Sequence, residues 1–304
     1  MNPLMSEQKQ KFLSTVIVGI GALLGFLALS FIASIYQVKT YLWVSIYVYV
    51  FHIFWLTFLF DLHFKNKGVL ANARLNHRGL RMFWEAFKDR SEHVFNWHYF
   101  SHYQNYLVLP GIIYWSAVML IFLNPFKEFL KQLIVISATL SMTVAYWYFK
   151  EIFSRKMEAE EFGIKILSLV KIFAAFLIYS AILGMTWYFG LTPELLILSA
   201  FGATFFLLYQ ALFQHRLLDL VTYLLIIGIG LVIALVSNFV YMRWQINYLT
   251  GGLVMAVVYN SLWGMLHHYL DRNLSKKLVF EYLLMTILIL SFIFASHDFT
   301  ARIN

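Results

Sequence analysis

Long apolar runs alternate with short polar ones from one end of the chain to the other. Apolar blocks recur at about 13–36, 41–61, 105–125, 130–149, 164–189, 194–214, 217–237, 246–268 and 278–296. Each block holds roughly twenty residues, enough to cross a hydrocarbon layer of about 30 Å as an α-helix. Inside lipid every backbone N–H and C=O must bond within the protein, which leaves helices or closed barrels. The blocks lack the ten-residue alternation of membrane strands. The pattern therefore predicts an all-α, polytopic membrane helix bundle of about nine transmembrane helices, with residues 1–304 forming a single transmembrane domain. The first block, Leu13 to Tyr36, is too long for the apolar core of a signal peptide and is followed by no small-residue cleavage site, so it reads as a retained span.

The gaps between blocks are short except for one of about forty residues, 61–104. Within it Leu80, Phe83, Trp84 and Phe87 fall at i, i+3, i+4 and i+7, while Arg78, Arg81, Lys88 and Arg90 occupy the positions around them. That spacing predicts an amphipathic helix over 74–90, lying flat on one leaflet or packed against the bundle.

Charge gives the bundle a direction. With the N-terminus in the cytoplasm, the inside segments hold 17 of the 23 lysines and arginines, the outside segments hold 5, and Lys171 falls within a span. Cytoplasmic loops of membrane proteins carry this excess. The expected topology thus has a cytoplasmic N-terminus, a cytoplasmic 61–104 loop with its interfacial amphipathic helix, and an outside C-terminus. The formal charge of +8 is spread over several loops beside anionic headgroups, so it predicts membrane lipids as partners and no nucleic acid. The expected location is the cell membrane, plasma or inner, in multi-pass form. Nothing in the pattern sets an oligomeric state.

Composition removes several chemistries. The chain is 61% hydrophobic and 12% charged, and it has no cysteine, so disulfides, thiolate metal sites and cysteine nucleophiles are excluded. It has no HExxH, no GxSxG and no GxxxxGK[ST], and the last four blocks contain no lysine that could carry a retinal.

The histidines are the remaining chemical signal. Eight of the ten fall at the predicted cytoplasmic face: His63, His77, His93, His98, His102, His215, His267 and His268. The densest stretch is "HVFNWHYFSHYQ", 93–104, in which His98 and His102 stand at i,i+4 and share a face if the segment is helical, while His93 lies off that face. In "NSLWGMLHHYLD", 260–271, Asn260, His267 and Asp271 share one stripe with His268 beside it. "QHRLLD" adds His215 and Asp219. Imidazole with carboxylate suits iron or zinc, so His98, His102, His215, His267, His268, Asp219 and Asp271 are the candidate metal ligands or their orienting partners. "HYFSH" resembles the HxxxH histidine box of membrane desaturases and hydroxylases. That resemblance, which spans five residues, implies metal-dependent chemistry on a lipid, although the later HxxHH boxes of those enzymes have no counterpart here.

Three readings follow from the residues. One is a histidine-ligated metal enzyme acting on a lipid or other apolar substrate at the cytoplasmic face. A second is a non-enzymatic membrane protein, a lipid-binding scaffold or a transporter, whose histidines serve an interfacial belt with Trp97, Tyr99, Phe100 and Tyr103. A third makes the histidines a proton or ion path. His52 stands in mid-span, where an ionisable side chain is costly. Lys171 is expected to snorkel toward the headgroups. Gly21 with Gly25, and Gly228, Gly230, Gly251 and Gly252, are expected to let helices approach one another.

Overall fold

The computed structural model describes residues 3–35, 37–65, 97–123, 128–153, 160–214, 219–243 and 247–296. Among the described residues there are nine α-helices and no strand. They are α1 (Pro3–Ile35), α2 (Val38–Lys65), α3 (Trp97–Leu123), α4 (Glu128–Phe153), α5 (Glu160–Phe189), α6 (Pro193–Gln214), α7 (Leu220–Arg243), α8 (Tyr248–Leu270) and α9 (Lys276–Ser296). Seven of them, α1 and α4 to α9, are long and apolar enough to cross a membrane. The chain is a helical, multi-pass membrane protein. In α3 the described apolar portion is Val108–Leu123, short of a full crossing by itself. The predicted amphipathic helix over 74–90 lies outside the described residues.

Local chemistry accounts for the helix ends. Oδ1 of Asn247 accepts from the N–H of Leu249 at 2.9 Å and of Thr250 at 3.4 Å, capping the orphan amides that open α8. Asp219 does the same for α7, its Oδ1 accepting the Thr222 N–H at 2.8 Å while Thr222 Oγ1 accepts the Asp219 N–H at 2.8 Å. The Thr222 hydroxyl and amide, both donating to the exposed Asp219 carboxyl, hold it below the ordinary carboxylate range. α5 ends in a left-handed turn at Gly190 (φ 61°), with the Leu191 N–H reaching back to the Thr186 carbonyl at 3.0 Å. α8 ends the same way, except that Arg272 (φ 56°) occupies the left-handed position usually given to glycine.

The helices form two compact units, Met1–Tyr114 with Glu128–Leu167, and Trp115–Lys127 with Ser168–Asn304. In the first, α1 packs on α4 and on α2. Val18 and Tyr146 meet in its core, and Thr143 Oγ1 lies 3.1 Å from where a Cβ on Gly19 would stand. The Tyr114 hydroxyl donates to the Ser45 carbonyl at 2.8 Å, tying α3 to α2. Gly111 is a close approach: a Cβ there would sit 2.6 Å from the Tyr49 hydroxyl.

In the second unit α6 packs on α7, α7 on α8 and α8 on α9. The hydroxyls of Tyr179 and Thr204 pair at 2.8 Å between α5 and α6. Gly252 of α8 rests on α5 so closely that a Cβ would lie 2.6 Å from the Ser180 backbone nitrogen. Gly251 and Gly230 are also tight, against Leu183 with Val240 and against the Phe201 ring, whereas a Cβ on Gly228 would meet nothing within 4 Å. Lys171 departs from expectation. It is 4% exposed rather than extended into the surroundings, on a stretch of α5 where Val170, Ala174 and Ala175 are also buried.

Candidate functional site

The end of α8, the five residues after it and the start of α9 hold the two predicted ligand histidines whose side chains the structure describes, His267 and His268. The predicted stripe forms as helical geometry requires: His267 Nδ1 lies 3.1 Å from Asp271 Oδ2 one turn on, both side chains partly exposed. The Trp263 ring meets His267 edge-on at 5.6 Å. His268 turns away from that stripe. Its Nδ1 pairs with Asn273 Oδ1 at 2.8 Å, and its ring lies 5.9 Å from that of Tyr282 on α9. The left-handed turn at Arg272 makes this possible by folding Asn273 back, so that the Asn273 N–H bonds the His268 carbonyl at 3.1 Å.

The other predicted ligands are distributed along the chain. His98 and His102 belong to the opening turns of α3, which begins at Trp97, so the i,i+4 spacing stands on a helix; the side chains of this part of α3 lie outside the described residues. His93 and His215 also lie outside them. Asp219 spends Oδ1 on the α7 cap. Among the described residues no group of three or more histidine, aspartate or glutamate side chains is arranged to hold a metal ion.

A groove of about 960 Å³ runs beside the histidines, between α5, α8 and α9 of the second unit. Leu169, Phe173 and Phe176 of α5, Leu253 of α8, and Met285 and Ile289 of α9 line its apolar part. Asn260, Ser261, Glu281, Tyr282 and Thr286 supply polar groups along the α8–α9 side. Ser261 and Thr286 bond to each other across the two helices through their hydroxyls, and Thr286 also donates to the Tyr282 carbonyl at 2.6 Å. Gly264 lets the Tyr282 ring lie directly on the α8 backbone, with its hydroxyl 2.6 Å from the missing Cβ. At the loop end, Lys277 pairs with Glu281 at 3.8 Å, both exposed. From Leu278 to Ile289 the groove extends along α9 by eleven residues, or about 16 Å at the helical rise.

Sequence reasoning placed Asn260 on a stripe with His267 and Asp271 but missed the groove. The available signal was the row of hydroxyl and amide residues at facing positions of two otherwise apolar helices, Asn260 and Ser261 opposite Tyr282 and Thr286.

Residues 79–296, more than half of the chain, match the model of DUF5656, a family described as a protein of unknown function, and the chain belongs to that family. The match takes in α3 to α9 and leaves α1 and α2 outside it. No curated protein matches the chain, and no solved structure does.

Proposed function

We propose that this member of the DUF5656 family is a lipid-binding membrane protein that holds one apolar chain of an amphiphile in the α5–α8–α9 groove, its polar end toward the 271–275 turn. The observation that carries this reading is the groove itself, apolar for most of its length and polar along one side. Its volume lies in the range of small-molecule sites, about 300–1,000 Å³, and such sites combine apolar walls with a few placed polar groups. Hydroxyls and an amide at this depth orient a headgroup's ester or hydroxyl oxygens, while Glu281 lines the end nearer the turn and the His268 ring lies 5.9 Å from that of Tyr282. In the topology that the basic residues favour, that end lies toward the cytoplasmic face of the plasma or inner membrane.

Filling the groove tests the proposal. Leu253→Trp and Ile289→Trp place indoles in the apolar part, and both positions are substantially exposed, so neither substitution overpacks a core. Native mass spectrometry of protein released from detergent is expected to show a retained lipid on wild type and a several-fold loss of it on both variants. Wild type that carries no lipid, or variants that carry as much, would overturn the reading.

A second reading has one observation in its favour. α3 is helical from Trp97, so His98 and His102 occupy positions that share a face and could hold iron or zinc for chemistry on a lipid substrate. In that case His98→Ala and His102→Ala each deplete the metal, the double substitution adds little because the remaining ligands cannot close the shell, and His93→Ala stays near wild type. Elemental analysis decides it, and wild type that neither contains nor takes up stoichiometric iron, zinc or manganese removes this reading.

A further inference from the structure

Hydrogen-bond accounting in the α5–α8–α9 groove leaves two polar groups unspent, and both lie well inside the helices. Asn260 is the thirteenth of the 23 residues of α8, ten residues or about 15 Å before its end at Leu270, near the middle of a hydrocarbon layer of about 30 Å. It lines the groove half-buried, and its carboxamide is neither sealed off nor bonded to any partner among the described residues. The Tyr282 hydroxyl is in the same condition. It stands 2.6 Å from where a Cβ on Gly264 would be, and Gly264 follows Asn260 by one turn on the same face of α8. The hydroxyl is thus about 5–6 Å, one helical turn, from the root of the Asn260 side chain.

The other polar groups of the groove are engaged. Thr286 donates to the Tyr282 carbonyl at 2.6 Å, and Ser261 donates to Thr286 or to the Val257 carbonyl at 3.1 Å. Each hydroxyl has one hydrogen to give, so Ser261 and Thr286 can only accept from a guest. Glu281 pairs with Lys277 at 3.8 Å. The cavity of about 580 Å³ beside Gly21 in the first unit offers no comparable pair, since its only polar lining is His52, whose Nε2 is sealed, and Tyr114, whose hydroxyl is bonded to Ser45.

What remains is of both kinds: the Asn260 N–H and the Tyr282 O–H give, while Asn260 Oδ1 and the Ser261 oxygen receive. A carbonyl or ether oxygen serves only the donors, whereas a hydroxyl serves donors and acceptors together. One oxygen suffices, because two hydrogen bonds of about 2.8 Å laid end to end span one helical turn. Charge is disfavoured. Among the described residues that line the groove there is no lysine, arginine or histidine, so a phosphate or carboxylate at this depth would lack a counter-ion. From Asn260 toward Leu253 the lining is Phe176, Ala256, Val257 and Ile289, which leaves hydrocarbon as the rest of the guest.

We propose that the guest of this groove is a long-chain alcohol, a single hydroxyl on a hydrocarbon chain, whose oxygen bonds Asn260 and Tyr282 while the chain lies along Phe176 and Leu253. The proposal rests on the lipid-binding reading of the same groove and names its ligand class, an uncharged hydroxyl lipid in preference to a phospholipid. Straight-chain and isoprenoid alcohols share this chemistry.

The test places the purified full chain in phosphatidylcholine nanodiscs with an octadecan-1-ol probe that carries a diazirine in mid-chain, and reads crosslinks by peptide mass spectrometry. Wild type is expected to label at groove-lining residues of α5, α8 or α9. Unlabelled oleyl alcohol or geranylgeraniol is expected to remove that labelling, and the one that acts at the lower mole fraction identifies the hydrocarbon. Oleyl methyl ether, which accepts but does not donate, and oleyl phosphate, which adds charge, are expected to need several-fold more. Asn260→Leu and Tyr282→Phe take away polar atoms at nearly constant volume, and each weakens labelling about two- to tenfold, the worth of one hydrogen bond. Neither group bonds anything described in the protein, so the unfolding midpoint is expected to hold or rise in both variants. Labelling only outside the groove, competition by the methyl ether equal to that of the alcohol, or full labelling in either variant overturns the proposal. If it fails while Leu253→Trp still loses a lipid that wild type retains, the groove binds lipid of another class; if wild type retains no lipid, the lipid-binding reading falls with it.

Discussion

Gly252→Ala is expected to disrupt the second unit, although the same exchange in an unobstructed helix is favourable. Alanine in place of glycine in a helix interior gains about 1 kcal/mol from lower backbone entropy in the unfolded chain. At Gly252 the added carbon would lie 2.6 Å from the Ser180 nitrogen and 2.7 Å from its Cα, which are backbone atoms of α5 and cannot rotate away. The two helices must separate, and the contacts around Ser180, Leu183 and Tyr259 separate with them. Overpacking of this kind costs about 1–3 kcal/mol and more where backbone is struck, so the cost outweighs the gain. Gly228→Ala is the control, since its Cβ meets nothing within 4 Å; it is expected to be neutral or to raise the unfolding temperature slightly. Thermal unfolding of the two variants in the same detergent checks the pair. Equal midpoints would mean that α5 and α8 do not touch at Gly252.

That contrast shows where the sequence stops being informative. A glycine in a line of text says that a side chain is missing; it does not say whether another helix stands where the side chain would be. Gly252, Gly21 and Gly228 look alike along the chain, and in the fold one is struck by backbone, one opens a cavity and one faces nothing. The spans were legible because crossing lipid imposes a length. The His267–Asp271 pair was legible because i,i+4 spacing on a helix fixes a distance by itself. The groove was not. It needs α5, α8 and α9 to meet, and in helices that are apolar on every side periodicity no longer marks which face turns inward. Lys171 failed similarly: a snorkelling side chain and a buried one occupy the same depth in the sequence, and only the packing of α5 separates them.

Ile287→Asp in α9 is expected to prevent stable insertion of that helix, and the reason is its surroundings rather than its packing. Ile293 is the only buried residue among those described in α9, and Ile287, near the helix centre, is 60% exposed, with Met285 and Phe292 still more exposed. In a water-soluble bundle an aspartate at such a position would cost almost nothing, and surface substitutions of this kind usually stay within about 0.5 kcal/mol. In a bilayer the same carboxylate stands near the midplane, where insertion costs about 2.5–3.5 kcal/mol. No described neighbour can offset the charge, because the basic residues Lys276 and Lys277 lie ten or more positions away at the other end of the helix. Leu274→Asp, in the turn between α8 and α9, adds the same group at a place that meets water or headgroups and is expected to insert normally. A glycosylation or cysteine-labelling tag placed after Ser296 reports the difference as a change in the side of the membrane it reaches. Normal insertion of Ile287→Asp would mean that α9 is not in contact with lipid, and that a partner chain or water surrounds this exposed apolar helix instead.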